Sequence, residues 1–338
     1  MTMIGKFLNF RQTIKYHKLM VNIAYLRIYA YLLSIKYLKK KAVTIIILPE
    51  HIGDVIAFSP FAEKLKQENK ANFIIWVIKP AYLSIIQFNK NIDYFVPATC
   101  DGLVEKFSKN TQFKIYDVRF NGNNYCEICD TKRIYNKIDN DFTLENYYEY
   151  GSLLEIFSTM AGKPMKKEAW LPTINIPDSI SSEISKYKLP NRYIVIHTTS
   201  NDSAREWKNE KWIQLIQEIK QSKNLIIVQI GLENKLQKSK NSFIDLCGKL
   251  SLQQTAEVIK KCDLFIGIDS GPAHMANAVG AKSLILLGKY RQIANYMPFS
   301  GNFANGINSK IIYDKNIKCP DIEVETVFSA FNLLLKTQ

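Results

Sequence analysis

What most constrains this chain is a series of short apolar runs alternating with helical patterns. Residues 43–48 and 73–78 are almost wholly apolar and rich in β-branched side chains, which is how a strand covered on both faces reads. A helical pattern runs from the first of these to about Gln67, and a helix over 82–88 and shorter strands at 94–96 and 114–118 follow the second. Residues 120–178 are less regular, with helix around 144–160. A second alternation begins with a strand at 193–197. Helices at 210–221, 251–261 and 273–279 then alternate with strands at 225–230, 264–268 and 283–287, and an amphipathic helix covers 323–335. Buried strands separated by helices pair in parallel, so two doubly wound α/β sheets are expected.

Pro164, Pro172, Pro177 and Pro190 mark the connection between the sheets, and 338 residues suffice for two domains. The expected division is an arm over 1–41, a first lobe over 42–180, a second over 181–322, and a C-terminal helix over 323–338 that packs back on the first lobe. Six cysteines in this length are too few for a disulfide scaffold, which fits a reducing compartment. Cys126-x-x-Cys129 lacks a second Cys pair or a nearby His, and Asp139-Asn140-Asp141 follows no apolar strand. No metal site is expected from either.

The net charge of +14 is uneven: nine basic side chains and no acid precede Glu50, so this arm carries +9 and the rest +5. Charge confined to one segment disfavours a nucleic-acid binder. The arm reads as a helix over 7–40. Arg11, Lys15, Lys18, Asn22, Tyr25, Tyr29, Lys36 and Lys40 share one stripe, and Leu19, Ile23, Leu26, Ala30 and Leu38 lie on the apolar side. The apolar stretch 19–35 is short for a membrane span and is broken by Asn22 and Arg27. Two readings stay open, and both can hold for different faces: a helix packed on its own domain, or a basic amphipathic helix on an anionic leaflet.

Three strand-to-helix turns carry candidate chemistry. His51-Ile52-Gly53-Asp54 places a glycine and a carboxylate at a strand's end, where Asp54 serves either as a helix cap or as a general base. Asp269-Ser270-Gly271-Pro272-Ala273-His274 offers the amides of a helix N-terminus to an anion, with Pro272 suited to the first turn. Thr198-Thr199-Ser200 with Arg205 forms a hydroxyl-rich loop that fits phosphate, or else an ordinary polar loop with Trp207 as core. No G-x-G-x-x-G follows the first strand, so a dinucleotide fingerprint is absent.

Together these segments resemble glycosyltransferase family 9, the bacterial heptosyltransferases of lipopolysaccharide core assembly. The likeness rests on Ile52-Gly53-Asp54-Val55 with Ser59-Pro60, and on His197 to Trp207 with Trp212. It rests further on Asp245-Leu246-Cys247-Gly248-Lys249 with Ser251-Leu252, and on Asp269 to His274 with a helix ending at Gly280, over about residues 43–290. The resemblance implies a GT-B fold, two Rossmann-like lobes facing a cleft, preceded here by the basic helical arm. It implies Asp54 as catalytic base with Gly53 in the acceptor loop. Thr198, Thr199, Arg205, Asp269, Ser270, Gly271 and His274 would hold the donor, and Glu233 its ribose. The implied reaction is inverting, needs neither metal nor cofactor, and moves heptose from ADP-heptose to a phosphorylated lipopolysaccharide-core acceptor. The +9 charge of the arm suits an anionic surface, so the expected location is cytoplasmic, peripheral on the inner face of the inner membrane, with residues 1–41 on that surface. The sequence departs from the family at 1–41 and at 98–165, where acceptor contacts would lie. Two other classes remain: a GT-B enzyme using a different nucleotide-sugar, such as an epimerase, and a non-catalytic nucleotide-sugar- or lipid-binding module. Asp54, Arg205 and His274 together favour an enzyme, since a binding module needs no base.

Overall fold

The computed structural model describes residues 3–39, 41–48, 51–98, 100–109, 112–120, 125–126, 129, 131–132, 142–143, 145–223, 225–236, 243–293 and 295–336. Asp139-Asn140-Asp141, Lys40 and the side chains of Arg11 and Lys39 lie outside them. In chain order the first half holds α1 (Met3–Lys39), β1 (Val43–Ile47), α2 (Ile52–Phe58), α3 (Pro60–Glu68), β2 (Phe73–Ile78), α4 (Leu83–Ile86), β3 (Tyr94–Pro97), α5 (Asp101–Ser108), β4 (Lys114–Asp117), β5 (Tyr125–Cys126), β6 (Thr131–Lys132) and α6 (Leu153–Met160). The second half holds α7 (Asp178–Ile184), β7 (Tyr193–His197), α8 (Asn209–Lys223), β8 (Ile226–Ile230), β9 (Ile244–Asp245), α9 (Leu252–Lys260), β10 (Leu264–Ile268), α10 (Gly271–Ala278), β11 (Ser283–Leu286), β12 (Ser309–Ile312) and α11 (Val324–Lys336).

Two parallel sheets result, in the order β3-β2-β1-β4 and β12-β11-β10-β7-β8-β9. The central strands β1, β7 and β10 are buried along their whole length, as continuous apolar runs require. The pattern had left out β9 and β12, one only two residues long and the other half-exposed. The helix expected to run to Gln67 breaks at Ser59-Pro60, because Pro60 cannot donate to the ladder and opens α3 instead. The helix expected around 144–160 is a 3-10 turn at Tyr147–Tyr150 and then α6, separated by Gly151 at φ +122°. The C-terminal helix, expected to cross to the first lobe, packs instead on α8, β11 and β12 of its own lobe.

The lobes share a core. One continuous buried cluster runs from Ile46, Phe58, Trp76 and Phe157 of the first lobe to Val195, Phe265, Ala273 and Phe299 of the second. The opposite face of the first sheet, with Val43, Ile45 and Ile47, packs under α1 and α5. Here the face assignment of the arm is corrected. Val21, Leu32 and Ile35 are the buried positions of α1, and the supposedly polar stripe turns partly inward. Tyr29 meets Phe113 edge-on at 6.0 Å, and Lys36 donates to the Gln112 carbonyl at 3.1 Å. Leu19, Leu26 and Leu38, assigned to the apolar side, are exposed, Leu38 at 82%. Both faces of α1 are therefore apolar. By length and composition Gln12–Leu38 is apolar enough to cross a bilayer, a longer stretch than the sequence reading allowed, while its inner face is taken up by the domain.

Past β4 the chain turns on a buried charge cluster. Arg119 donates from Nε to Asp117 at 2.8 Å and from Nη2 to Glu105 of α5 at 3.2 Å, which fixes that end of the sheet against the helix. Arg119→Met would leave two carboxylates facing each other out of water, so it is expected to destabilise the protein by about 3–5 kcal/mol. Urea denaturation at neutral pH measures the loss.

Candidate active site

The turns after β1 and β10 meet across the lobes. A side chain on Gly53 would begin 2.8 Å from Cδ2 of His274, and one on Gly271 would run into Ile52. Neither glycine is there for a positive φ; each is needed because another lobe's turn lies against it. The contact brings the N-termini of α2 and α10 together at the carboxyl ends of their sheets, where ligands of α/β folds bind.

On the first-lobe side, His51 is the cap of α2 and Asp54 is its third residue, so the cap reading moves to His51. The Asp54 carboxylate, only 9% exposed, accepts the backbone N–H of His51 at 3.0 Å, which ties it to the helix N-terminus. Facing it, Arg205 donates from Nη1 to Asp269 at 2.9 Å and lies over the Tyr290 ring at 5.3 Å. Burial works against the guanidinium, but Asp269 and then Tyr148 hold it charged, with its pKa above the ordinary value. Its Nε is buried without a hydrogen-bond partner among the described residues. Asp202 accepts the Tyr290 hydroxyl at 2.7 Å and caps the turn that carries Arg205.

Asp54, Arg205 and Asp269 act on the same neighbours. Burial first, then the charge of Asp54, raises the Tyr147 pKa, with Asp269 adding and Arg205 opposing. His51 is held below its ordinary value by partial burial, then by Lys79 and Arg205. The tyrosines come from the turn before α6: Tyr148 packs edge-on against Tyr296 at 4.4 Å, and Tyr147 lies against Phe120 at 4.5 Å. No motif marks them, since their role comes from a long-range approach. His197, the end of β7, is hydrogen-bonded through Nδ1 to the Ser270 hydroxyl at 3.0 Å and braces the start of α10.

The remaining predicted residues divide. Thr198 is buried and shares its hydroxyl with Gln229 at 3.4 Å, and Thr199 lies by Gly231, whose φ of +143° turns the chain after β8. Trp207 is core: it donates to the Ile322 carbonyl at 2.8 Å and packs edge-on against Trp212. Glu233 is an exposed residue 3.8 Å from Lys235, and no contact links it to Arg205 or Asp269 among the described residues. Cys126 and Cys129, judged too few for a metal, are joined by Cys100 from the start of α5.

The profile of glycosyltransferase family 9 (heptosyltransferase) matches residues 152–307, a stretch that includes Thr198, Arg205 and the turn from Asp269 to His274. The chain is similar over 88% of its length to the family 9 glycosyl transferase of Veillonella parvula DSM 2008, covering 98% of that chain at 16% identity and a TM-score of 0.64. It is similar over 87% to the E. coli ADP-heptose lipopolysaccharide heptosyltransferase II, covering 98% of that chain at 14% identity and a TM-score of 0.64. E. coli heptosyltransferase WaaC with ADP-2-deoxy-2-fluoro heptose matches over 86% of this chain and 99% of its own, at 13% identity and a TM-score of 0.52. These likenesses establish the GT-B fold. No curated protein sequence matches the chain. The family profile begins after Asp54 and Gly53, so it covers less than the 43–290 read from the sequence.

His274 and His197 lie fully inside, and burial lowers both to about 4 from 6.5; Arg205 pushes His274 the same way and Asp269 opposes. Both are neutral at neutral pH. The unfolded chain takes up protons on them below about 6.5 while the folded chain refuses them until about 4, so stability falls as pH drops through that window. Urea denaturation as a pH series should show this slope, and His274→Gln should flatten it.

Proposed function

We propose that this protein is a family 9 glycosyltransferase, inverting and metal-independent, that moves a heptose from an ADP-activated donor to a phosphorylated lipopolysaccharide-core acceptor. The observation that carries the reading is the approach of the Asp54 turn of one lobe to the Asp269–His274 turn of the other, where Asp269 holds Arg205. The acceptor hydroxyl attacks the anomeric carbon, Asp54 takes its proton, and the bond from that carbon to the diphosphate oxygen breaks. Attack opposite the leaving group inverts the carbon. As the bond breaks, negative charge grows on the diphosphate, where Arg205 and the N-terminal amides of α10 hold it most strongly at the transition state. The unpartnered Nε of Arg205 is a donor suited to a phosphate oxygen. Together they provide the counter-charge that a divalent ion supplies elsewhere. Gly53 lets the His274 turn come against the Asp54 turn, and the neutral His274 fills the seam between the lobes. ADP and heptose enter from the family and from WaaC, bound to its ADP-2-deoxy-2-fluoro heptose.

Asp54→Asn keeps the shape but removes the base, so it is expected to lower kcat by about 10²–10⁴-fold. Donor affinity should be unchanged by thermal shift. A panel of ADP, GDP, UDP, CMP and dTDP checks the donor: at a hundredfold excess over Kd, a bound nucleotide adds about 2.7 kcal/mol. Selective response to UDP or GDP would discard the heptose donor while leaving the mechanism, and full activity in Asp54→Asn would discard the mechanism.

The acceptor and the membrane belong to the same proposal. The outward face of α1, with Leu19, Leu26 and Leu38 beside Lys15 and Lys18, has the chemistry of a helix seated on anionic lipid. Deleting the arm would also strip Leu32 and Ile35 from the core, so the clean test changes the outer face alone. Leu19→Glu with Leu26→Glu should weaken co-sedimentation with phosphatidylglycerol vesicles and leave the melting temperature in place. Unchanged sedimentation would discard a membrane role for the arm.

A further inference from the structure

The geometry points to a structural zinc site formed by the thiolates of Cys100, Cys126 and Cys129, on the face of the first sheet turned away from the cleft. Their three sulfurs lie within 4.8 Å of one another. Cys126 ends β5 and Cys129 lies two residues before β6, and the two strands pair antiparallel through Cys126 and Thr131. Cys100 directly precedes α5, which packs against β6. Cys126 and Cys129 are 5% and 0% exposed, and all three cysteines are thiols.

Three mutually close sulfurs are one more than a disulfide uses. Tetrahedral zinc with Zn–S bonds of about 2.3 Å sets its sulfurs about 3.8 Å apart, so a small contraction of this triangle is sufficient.

The ribbon itself gives the second argument. Two strands of two residues cannot hold themselves in water. Among its described residues, Cys126 and Cys129 are the ones that enter the hydrophobic core under α1 and α5. Those two thiols, with Cys100 opposite, are thus what fixes the ribbon to the domain, and a metal makes that attachment covalent in strength. Borderline-soft Zn²⁺ suits an all-thiolate set, and its fourth position takes a water or another oxygen donor. Binding exchanges three S–H protons, released to solvent, for three S–Zn bonds, with no change of oxidation state. The sheet separates this site from the cleft: Val43, Ile45 and Ile47 of β1 face the cysteines' core, and Ile46 and its neighbour Leu48 face the shared core of the lobes. The site goes beyond the transferase reading, and either can fail without the other.

The test uses the full chain, produced with added Zn²⁺ and desalted thoroughly. Metal analysis is expected to give one zinc per chain, with Cys100→Ser, Cys126→Ser and Cys129→Ser each losing it and Cys262→Ser keeping it. Where a Ser variant fails to fold, the unaltered protein still decides. Exchange with Co²⁺ should give an intense thiolate-to-cobalt band, and titration with an organomercurial should release the metal as three thiols react. EDTA should lower the melting temperature. A chain that takes up neither Zn²⁺ nor Co²⁺, a metal-free Cys126–Cys129 disulfide found by mass, or zinc retained in all three Ser variants would overturn the site.

Discussion

The close approach of two glycines to the opposite lobe is the constraint on which the site depends. Gly53 against His274 and Gly271 against Ile52 bring two strand-to-helix turns closer than any side chain would permit. Each turn alone is an ordinary helix start. Together they join a carboxylate from one sheet to a cation and a helix dipole from the other, and no single Rossmann-like lobe supplies both. The buried neutral imidazole of His274 suits this seam, because a charged one would raise the cost of bringing the lobes together.

Much of this was legible in the sequence, and what was not has a physical reason. The strands β1, β2, β7 and β10 announce themselves because burial on both faces leaves no alternation to misread. The turns that carry Asp54 and Asp269 are legible because a strand must end and a helix begin there. Tyr147, Tyr148 and His197 were missed, since each matters through a partner far away in the chain. Cys100 was missed for the same reason: the C-x-x-C spacing is local, and its third member is not. Glu233 was the weakest assignment, and its exposed position gives it no link to Arg205.

The arm shows where periodicity misleads. A stripe analysis assumes one wet face and one dry face, so the tyrosines and lysines of α1 were assigned to water. Tyrosine and lysine are not confined to water: here Tyr29 meets Phe113 edge-on, and Lys36 brings its ammonium over the same ring. The leucines were then left outside. A helix that is apolar all round defeats any argument from a single face.

The core that runs unbroken from Phe58 and Trp76 to Phe265 and Phe299 has a consequence for how the molecule comes apart. Two lobes joined only by a hinge would melt as two independent units. Here the loss of either lobe uncovers the apolar surface of the other, so the halves are thermodynamically coupled and heat should disassemble them in one transition. The same coupling makes wide gaping expensive, leaving small rotations about the glycine seam as the economical way to admit and release ligands.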